Sequence, residues 1–266
     1  MCIFIFFFLG GVLIMLLSFF TQRVCLLDIR DEFPSFSGLG LDSDSHPCPD
    51  MLDQEKFDPI PESKEDLLNE PLFFRSFATP EWDNFDKMPS VVAITGSNGK
   101  STVTALTGAM CAAAGLRTVV AGNIGVPVLD ALRVAEQAGR HPDVYVLELS
   151  SFQLEVMECS PHIAGVLNIT PNHLDRHKTM AAYIAAKAHI VAYQRPEDVA
   201  VLGYDEPNAR GLAEQTAAEV RYFSGMTAVE TGAFLRGEAL MLRREGQERE
   251  ICRRGEVHLR GFHNLV

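Results

Sequence analysis

ITGSNGKST, residues 94–102, follows a short β-branched run, VVA at 91–93, and precedes an alanine-rich stretch that Gly115 ends. The order is strand, glycine loop, helix. A glycine-rich turn in that setting offers backbone N–H groups and the positive end of a helix dipole to an anion. Gly96, Ser97, Asn98 and Gly99 are small enough to let the backbone approach a ligand, and Lys100 supplies a cation for β and γ phosphates. A hydroxyl from Ser101 or Thr102 can reach Mg²⁺. The common P-loop carries a glycine six positions before its lysine, where this chain has Ile94, so the loop is of the shorter kind. A turn that merely joins strand to helix is the bland reading. GK[ST] between a strand and a helix favours the phosphate reading.

On the C-terminal side of that loop the spacing predicts a helix over 101–114 and strands at 118–121, 144–149, 163–169 and 199–202, with a further helix over 180–193. Near-continuous apolar strands separated by helices are what a parallel sheet covered on both faces requires. The expected class is α/β, a central P-loop-type domain with a mostly parallel sheet flanked by helices, its core running from about 90 to 225. Beyond Phe223 the segments at 233–235, 239–243 and 250–252 read as small antiparallel strands with charged outer faces.

The formal charge of −12 opposes non-specific nucleic-acid binding, which depends on Lys and Arg neutralising phosphates, so DNA and RNA are excluded as expected partners. Six cysteines, at 2, 25, 48, 111, 159 and 252, form no CxxC pair, which argues against a zinc site or a disulfide scaffold and points to a reducing cytoplasm. Residues 3–20, IFIFFFLGGVLIMLLSFF, carry no charge and approach the length of a bilayer span. Two readings stand: a membrane anchor, or a buried strand, glycine turn and helix opening a nucleotide-binding unit. From 28 to 70 there are thirteen acidic residues against three basic ones, which reads as a solvated linker.

Four more positions invite chemistry. Glu148 lies near the C-terminal end of a predicted strand, where carboxylates face the crevice of open α/β sheets and suit Mg²⁺; the bland alternative is a residue capping the next helix. NITPNHLDRH, 168–177, reads as a polar loop in which His173, and to a lesser degree His177, can ligate a metal or bind phosphate, against the plainer reading of exposed loop histidines. Asn123, in AGNIGVP, faces a ligand or simply tolerates positive φ in a turn. Lys187, inside AAYIAAKAHI, reads by spacing alone as a helix lysine reaching water.

Taken together, TGSNGKST, GNIGVPVLD, YVLELSSFQLE, NITPNHLDRH, YIAAKAHIV and GFHN resemble the Mur ligase family in order and spacing, from about residue 90 to the end. The resemblance implies an ATP-dependent enzyme of peptidoglycan synthesis that phosphorylates a substrate carboxylate and lets an amino acid's amine attack the acyl phosphate. ELSSFQLE, with GNIG before it and HLDRH after it, is similar to the branch that adds D-glutamate to UDP-N-acetylmuramoyl-L-alanine. It implies phosphate contact and catalysis for Lys100, Mg²⁺ contact for Ser101 and Glu148, and a second Mg²⁺ at His173. Asn123 falls to the UDP-substrate side and Asn264 near the adenine, while Lys187 becomes a metal-binding carbamate. Residues 1–89 are expected to hold a degenerate Rossmann-like, UDP-binding-like segment and the acidic linker, and 90–266 the ATP-binding domain, with the family's C-terminal domain absent. The alternatives are another Mur or folylpolyglutamate-type ligase, or a non-catalytic, membrane-tethered ATP-binding module.

Overall fold

The apolar runs of the sequence become the strands of a single sheet because each alternates its side chains between two apolar layers. The computed structural model describes residues 89–254; the expectations for the segment before residue 89 and for Asn264 lie outside the described residues. The strands are β1 (Ser90–Thr95), β2 (Thr118–Gly122), β3 (Val144–Glu148), β4 (Ile163–Val166), β5 (Val199–Gly203), β6 (Glu219–Ser224), β7 (Gly232–Arg236), β8 (Ala239–Arg244) and β9 (Gln247–Arg253). Their order across the sheet is β2-β3-β1-β4-β5-β6-β7-β8-β9. Neighbours are parallel from β2 to β7, while β8 and β9 close the sheet antiparallel. β3, β4 and β5 are buried throughout, and β2, at the edge, is only half-buried over its first three residues.

Six α-helices are described: α1 (Lys100–Ala113), α2 (Val128–Gln137), α3 (Ser151–Glu155), α4 (Leu174–His177), α5 (Met180–Ala192) and α6 (Pro207–Gly211). On one face Val92, Ile94, Val144 and Val146 pack with Val103 and Cys111 of α1. On the other, Val91, Ala93, Tyr145 and Leu147 pack with Val128 and Leu132 of α2, Leu154 of α3, and Tyr183 and Ile190 of α5. Alternation therefore carries Thr95, in phase with Val91 and Ala93, toward α5, and Glu148, in phase with Val144 and Val146, toward α1. No helix among the described residues is long and apolar enough to cross a membrane.

The structure departs from the sequence expectations in several places. The strand expected over 163–169 stops at Val166, because Asn168 turns the chain toward the glycine loop. α2 and β6 carry no assignment in the sequence reading. β6 is masked by its charges: Arg221 points inward, buried, and ion-pairs with Glu219. β7 is antiparallel only to β8; against β6 it is parallel, with Tyr222 opposite Gly232. A short connection suffices because β7 starts beside the end of β6 and runs past it. The charged outer face expected of the last strands is present as Arg236 and Arg243 on either side of Glu248.

Candidate functional site

From β1 the chain goes through α1 to β2 on one side of the sheet, whereas from β3 it goes through α3 to β4 on the other. Where adjacent strands send their connections opposite ways, a crevice opens at their C-terminal ends. Ile94 pairs with Glu148 there, and Leu149 N donates to Ile94 O at 2.9 Å. The glycine loop, Glu148, Asn123 and the loop after β4 all meet at that crevice.

Gly99 is the N-cap of α1, with φ 82°, a left-handed conformation that costs a side-chain-bearing residue about 1–2 kcal/mol. The helix has no side-chain cap, and its first intrahelical bond is Val103 N to Gly99 O. The N–H groups of Gly99, Lys100, Ser101 and Thr102 are therefore the four that a helix start leaves without an intrahelical partner. The N–H groups of Ser97 and Asn98 are differently placed: both donate to Asn168 Oδ1, at 3.0 and 2.9 Å. The Ser97 hydroxyl donates to Thr170 O at 2.8 Å, so Tyr183 OH, 3.1 Å away, donates to it. Of the residues expected to touch phosphate, Gly99 to Thr102 thus keep N–H groups without a partner among the described residues, and Ser97 is committed to the loop after β4.

Glu148 is 1% exposed. Its Oε1 accepts from Asn123 Nδ2 at 2.9 Å, and its Oε2 is buried with no partner among the described residues. It does not cap the following helix, since Ser150 does that in a capping box with Gln153. Asn123 is not among the residues with positive φ, so the turn reading fails for it and its side chain is spent orienting Glu148. Gly122 permits this approach, because a Cβ there would sit 2.4 Å from Glu148 O.

Lys187 overturns the spacing-based expectation of a solvated lysine. It is 1% exposed, with Nζ donating to Thr95 Oγ1 at 3.0 Å and to Gly96 O at 3.1 Å, above the Tyr183 ring. Small residues around it on α5 let the helix lie close enough to the sheet for a long side chain to fill the gap, which patterning of single residues does not reveal. Burial, then the Lys100 charge, pull its pKa from 10.5 to about 7, against an opposing pull from Glu148.

His173 is exposed, has φ 50° and lies edge-on to Phe152 at 5.3 Å. His177 is a correction of the exposed-loop reading: it is 7% exposed, its Nε2 is 2.9 Å from Ser151 Oγ, and its ring stacks on Phe152. Burial lowers its pKa, which favours the neutral ring. The loop holding both histidines contains α4, whose first and last residues are Leu174 and His177. Tyr183, Thr95 and Asn168 are site residues that sequence reasoning missed; Asn168 had a signal, being a polar residue at a strand end beside the expected crevice. Among the described residues no group of three or more His, Cys, Asp or Glu side chains forms a ready metal cage. The orphaned Glu148 Oε2 nonetheless fits a hard cation that takes the rest of its shell from water and phosphate.

The family model for the Mur ligase middle domain matches residues 94–265. The chain belongs to the Mur ligase family. The Mur ligase region is 42% identical over 175 residues to the "UDP-N-acetylmuramoylalanine--D-glutamate ligase" of Desulfitobacterium hafniense, covering 65% of this chain and 38% of that one. It is 50% identical over 145 residues to the Dinoroseobacter shibae protein of the same name, covering 54% of this chain and 30% of that one. This Mur ligase chain thus spans well under half the length of the curated relatives it matches. Among solved structures it resembles MurF from Acinetobacter baumannii at TM-score 0.48 and 20% identity, over 69% of this chain and 41% of that one.

Proposed function

We propose that this chain carries the nucleotide-binding core of an ATP-dependent ligase that joins D-glutamate to UDP-N-acetylmuramoyl-L-alanine in peptidoglycan synthesis. The observation that carries the reading is the row of N–H groups from Gly99 to Thr102, without partners among the described residues, beside a buried carboxylate whose Oε2 likewise has none among them. The names of its 40–50% identical relatives supply the substrates.

In this reading the N-terminus of α1 and Lys100 would hold the triphosphate, and Asn264, by the resemblance, would contact the adenine. Ser101 and Glu148 would hold one Mg²⁺, and His173 with a carbamylated Lys187 a second. Such cations neutralise the charge that keeps a carboxylate from approaching a triphosphate. The substrate carboxylate oxygen attacks the γ phosphorus and ADP leaves; the D-glutamate amine then attacks the acyl phosphate, losing a proton and expelling phosphate. Asn123 holds Glu148 toward the crevice on the UDP-substrate side. Lys187 donates to two acceptors, Thr95 Oγ1 and Gly96 O, which match the two N–H bonds of a neutral amine and leave its lone pair for CO₂. Attack on CO₂ with loss of one proton gives the carbamate.

Incubation with UDP-N-acetylmuramoyl-L-alanine, radiolabelled D-glutamate, ATP and Mg²⁺ tests the proposal. Labelled nucleotide-peptide is the expected product. Absence of Mg²⁺-ATP binding would overturn the nucleotide-core reading, and ATP binding without product would mark the chain as that core without the ligation step.

A further inference from the structure

Asn168 sits just past the end of β4 and grips the glycine loop at four points. Its carbonyl accepts from Ser97 N at 2.9 Å, its Oδ1 accepts from Ser97 N at 3.0 Å and from Asn98 N at 2.9 Å, and its Nδ2 donates to Asn98 O at 3.1 Å. We propose that Asn168 is a positioning residue that sets the phosphate loop, so that nucleotide affinity depends on its side chain; this rests on the reading of that loop as a nucleotide site.

The physical need is plain. A Gly-Ser-Asn-Gly loop has little conformational preference of its own, and a loop that must be ordered by its ligand binds more weakly than one already ordered. Asn168 does the ordering from a fixed base. The next residue, Ile169, donates its N–H to Glu206 Oε2 at 3.0 Å and receives Asn208 Nδ2 on its carbonyl at 2.8 Å, which ties the loop after β4 to the start of α6. Glu206 caps that helix, and Ala209 N also donates to its Oε2. With Ser97 and Asn98 turned toward Asn168, the N–H groups without a partner among the described residues begin at Gly99, where the helix dipole adds to them. The residue type is specified: the position needs an acceptor for two N–H groups and a donor for a carbonyl, which a neutral carboxamide supplies. A carboxylate of the same shape would face Asn98 O with a second acceptor and put a negative charge beside an anion site.

The test compares the wild-type chain with Asn168→Ala and with the isosteric Asn168→Asp. Mg²⁺-ATP affinity is measured by calorimetry, and amide hydrogen exchange residue by residue without nucleotide. Asn168→Ala is expected to bind nucleotide about tenfold more weakly, the scale of one or two lost hydrogen bonds. Its Ser97 and Asn98 amides are expected to exchange faster while those of β1 and β4 keep their protection, a local pattern that general loosening of the fold would not give. Asn168→Asp is expected to bind at least as weakly as Asn168→Ala, with the excess loss shrinking as salt screens the added charge. Wild-type binding with unchanged affinity in Asn168→Ala, or unchanged exchange at Ser97 and Asn98, overturns this inference alone. Failure of the wild-type chain to bind Mg²⁺-ATP overturns the nucleotide reading, and the inference with it.

Discussion

Lys187 Nζ, on α5, lies 3.0 Å from Thr95 Oγ1 at the end of β1, across 92 residues of sequence. The Thr95 hydroxyl in turn donates to Leu149 O at 2.7 Å, so one short chain of hydrogen bonds ties α5, β1 and the end of β3 together beneath the glycine loop. A buried amine in that place has to be neutral for part of its time, and this has a thermodynamic consequence.

The pKa of Lys187 is near 7 in the folded chain and near 10.5 unfolded, so between those values the unfolded state binds more protons. Stability therefore rises with pH across that window, by up to about 1.4 kcal/mol per unit, and below pH 7 the full cost of the buried charge is present. Urea denaturation of wild type and Lys187→Met at pH 7 and pH 9 checks this. The expected outcome is that wild type gains stability relative to the variant on going from 7 to 9; a constant difference would contradict it.

Lys100 is half-buried and has no hydrogen bond to a described residue, so its removal costs the fold little. Lys100→Ala is expected to weaken ATP binding by about ten- to a hundredfold, the scale of lost charge-assisted bonds, with an unchanged melting temperature. The same variant relieves one cause of the low Lys187 pKa, so the pH window above should move upward. Calorimetry and the pH series measure the two effects.

Glu148→Gln keeps the shape of the side chain and removes the charge. Since Oε2 has no partner among the described residues, the variant is expected to be at least as stable as wild type without cations. Its nucleotide affinity should depend less steeply on Mg²⁺ than that of wild type, read as a shallower Mg²⁺ titration in a thermal-shift assay.

Ser151→Ala removes the hydroxyl 2.9 Å from the buried His177 Nε2. Leaving that nitrogen unpaired is expected to cost about 1–3 kcal/mol in urea denaturation. Release of His177 frees α4, and weaker metal dependence should follow if His173, at the start of that helix, is a ligand.

Much of the fold could be read before any coordinates. The runs at 91–94, 144–147 and 199–202 are apolar on both phases, and only a sheet covered on two faces accommodates that. β6 stayed hidden because its buried Arg221 looks like surface until the ion pair with Glu219 is seen. At the site, the GKS run and Glu148 declared themselves by spacing from strand ends. His177 and Lys187 did not, because a histidine in a polar stretch and a lysine in a helix are ordinarily solvated, and their burial depends on which distant groups pack over them.

Local periodicity and backbone sterics were enough to set the strand, loop and helix order, the glycine at position 99, and a lysine and hydroxyl at the head of α1. Tertiary structure alone decided which N–H groups the loop leaves free, that Asn123 holds Glu148, and that Lys187 is buried and largely stripped of its charge preference. Those are properties of contacts between residues far apart in the chain, and desolvation and hydrogen-bond geometry exist only once the sheet has brought them together.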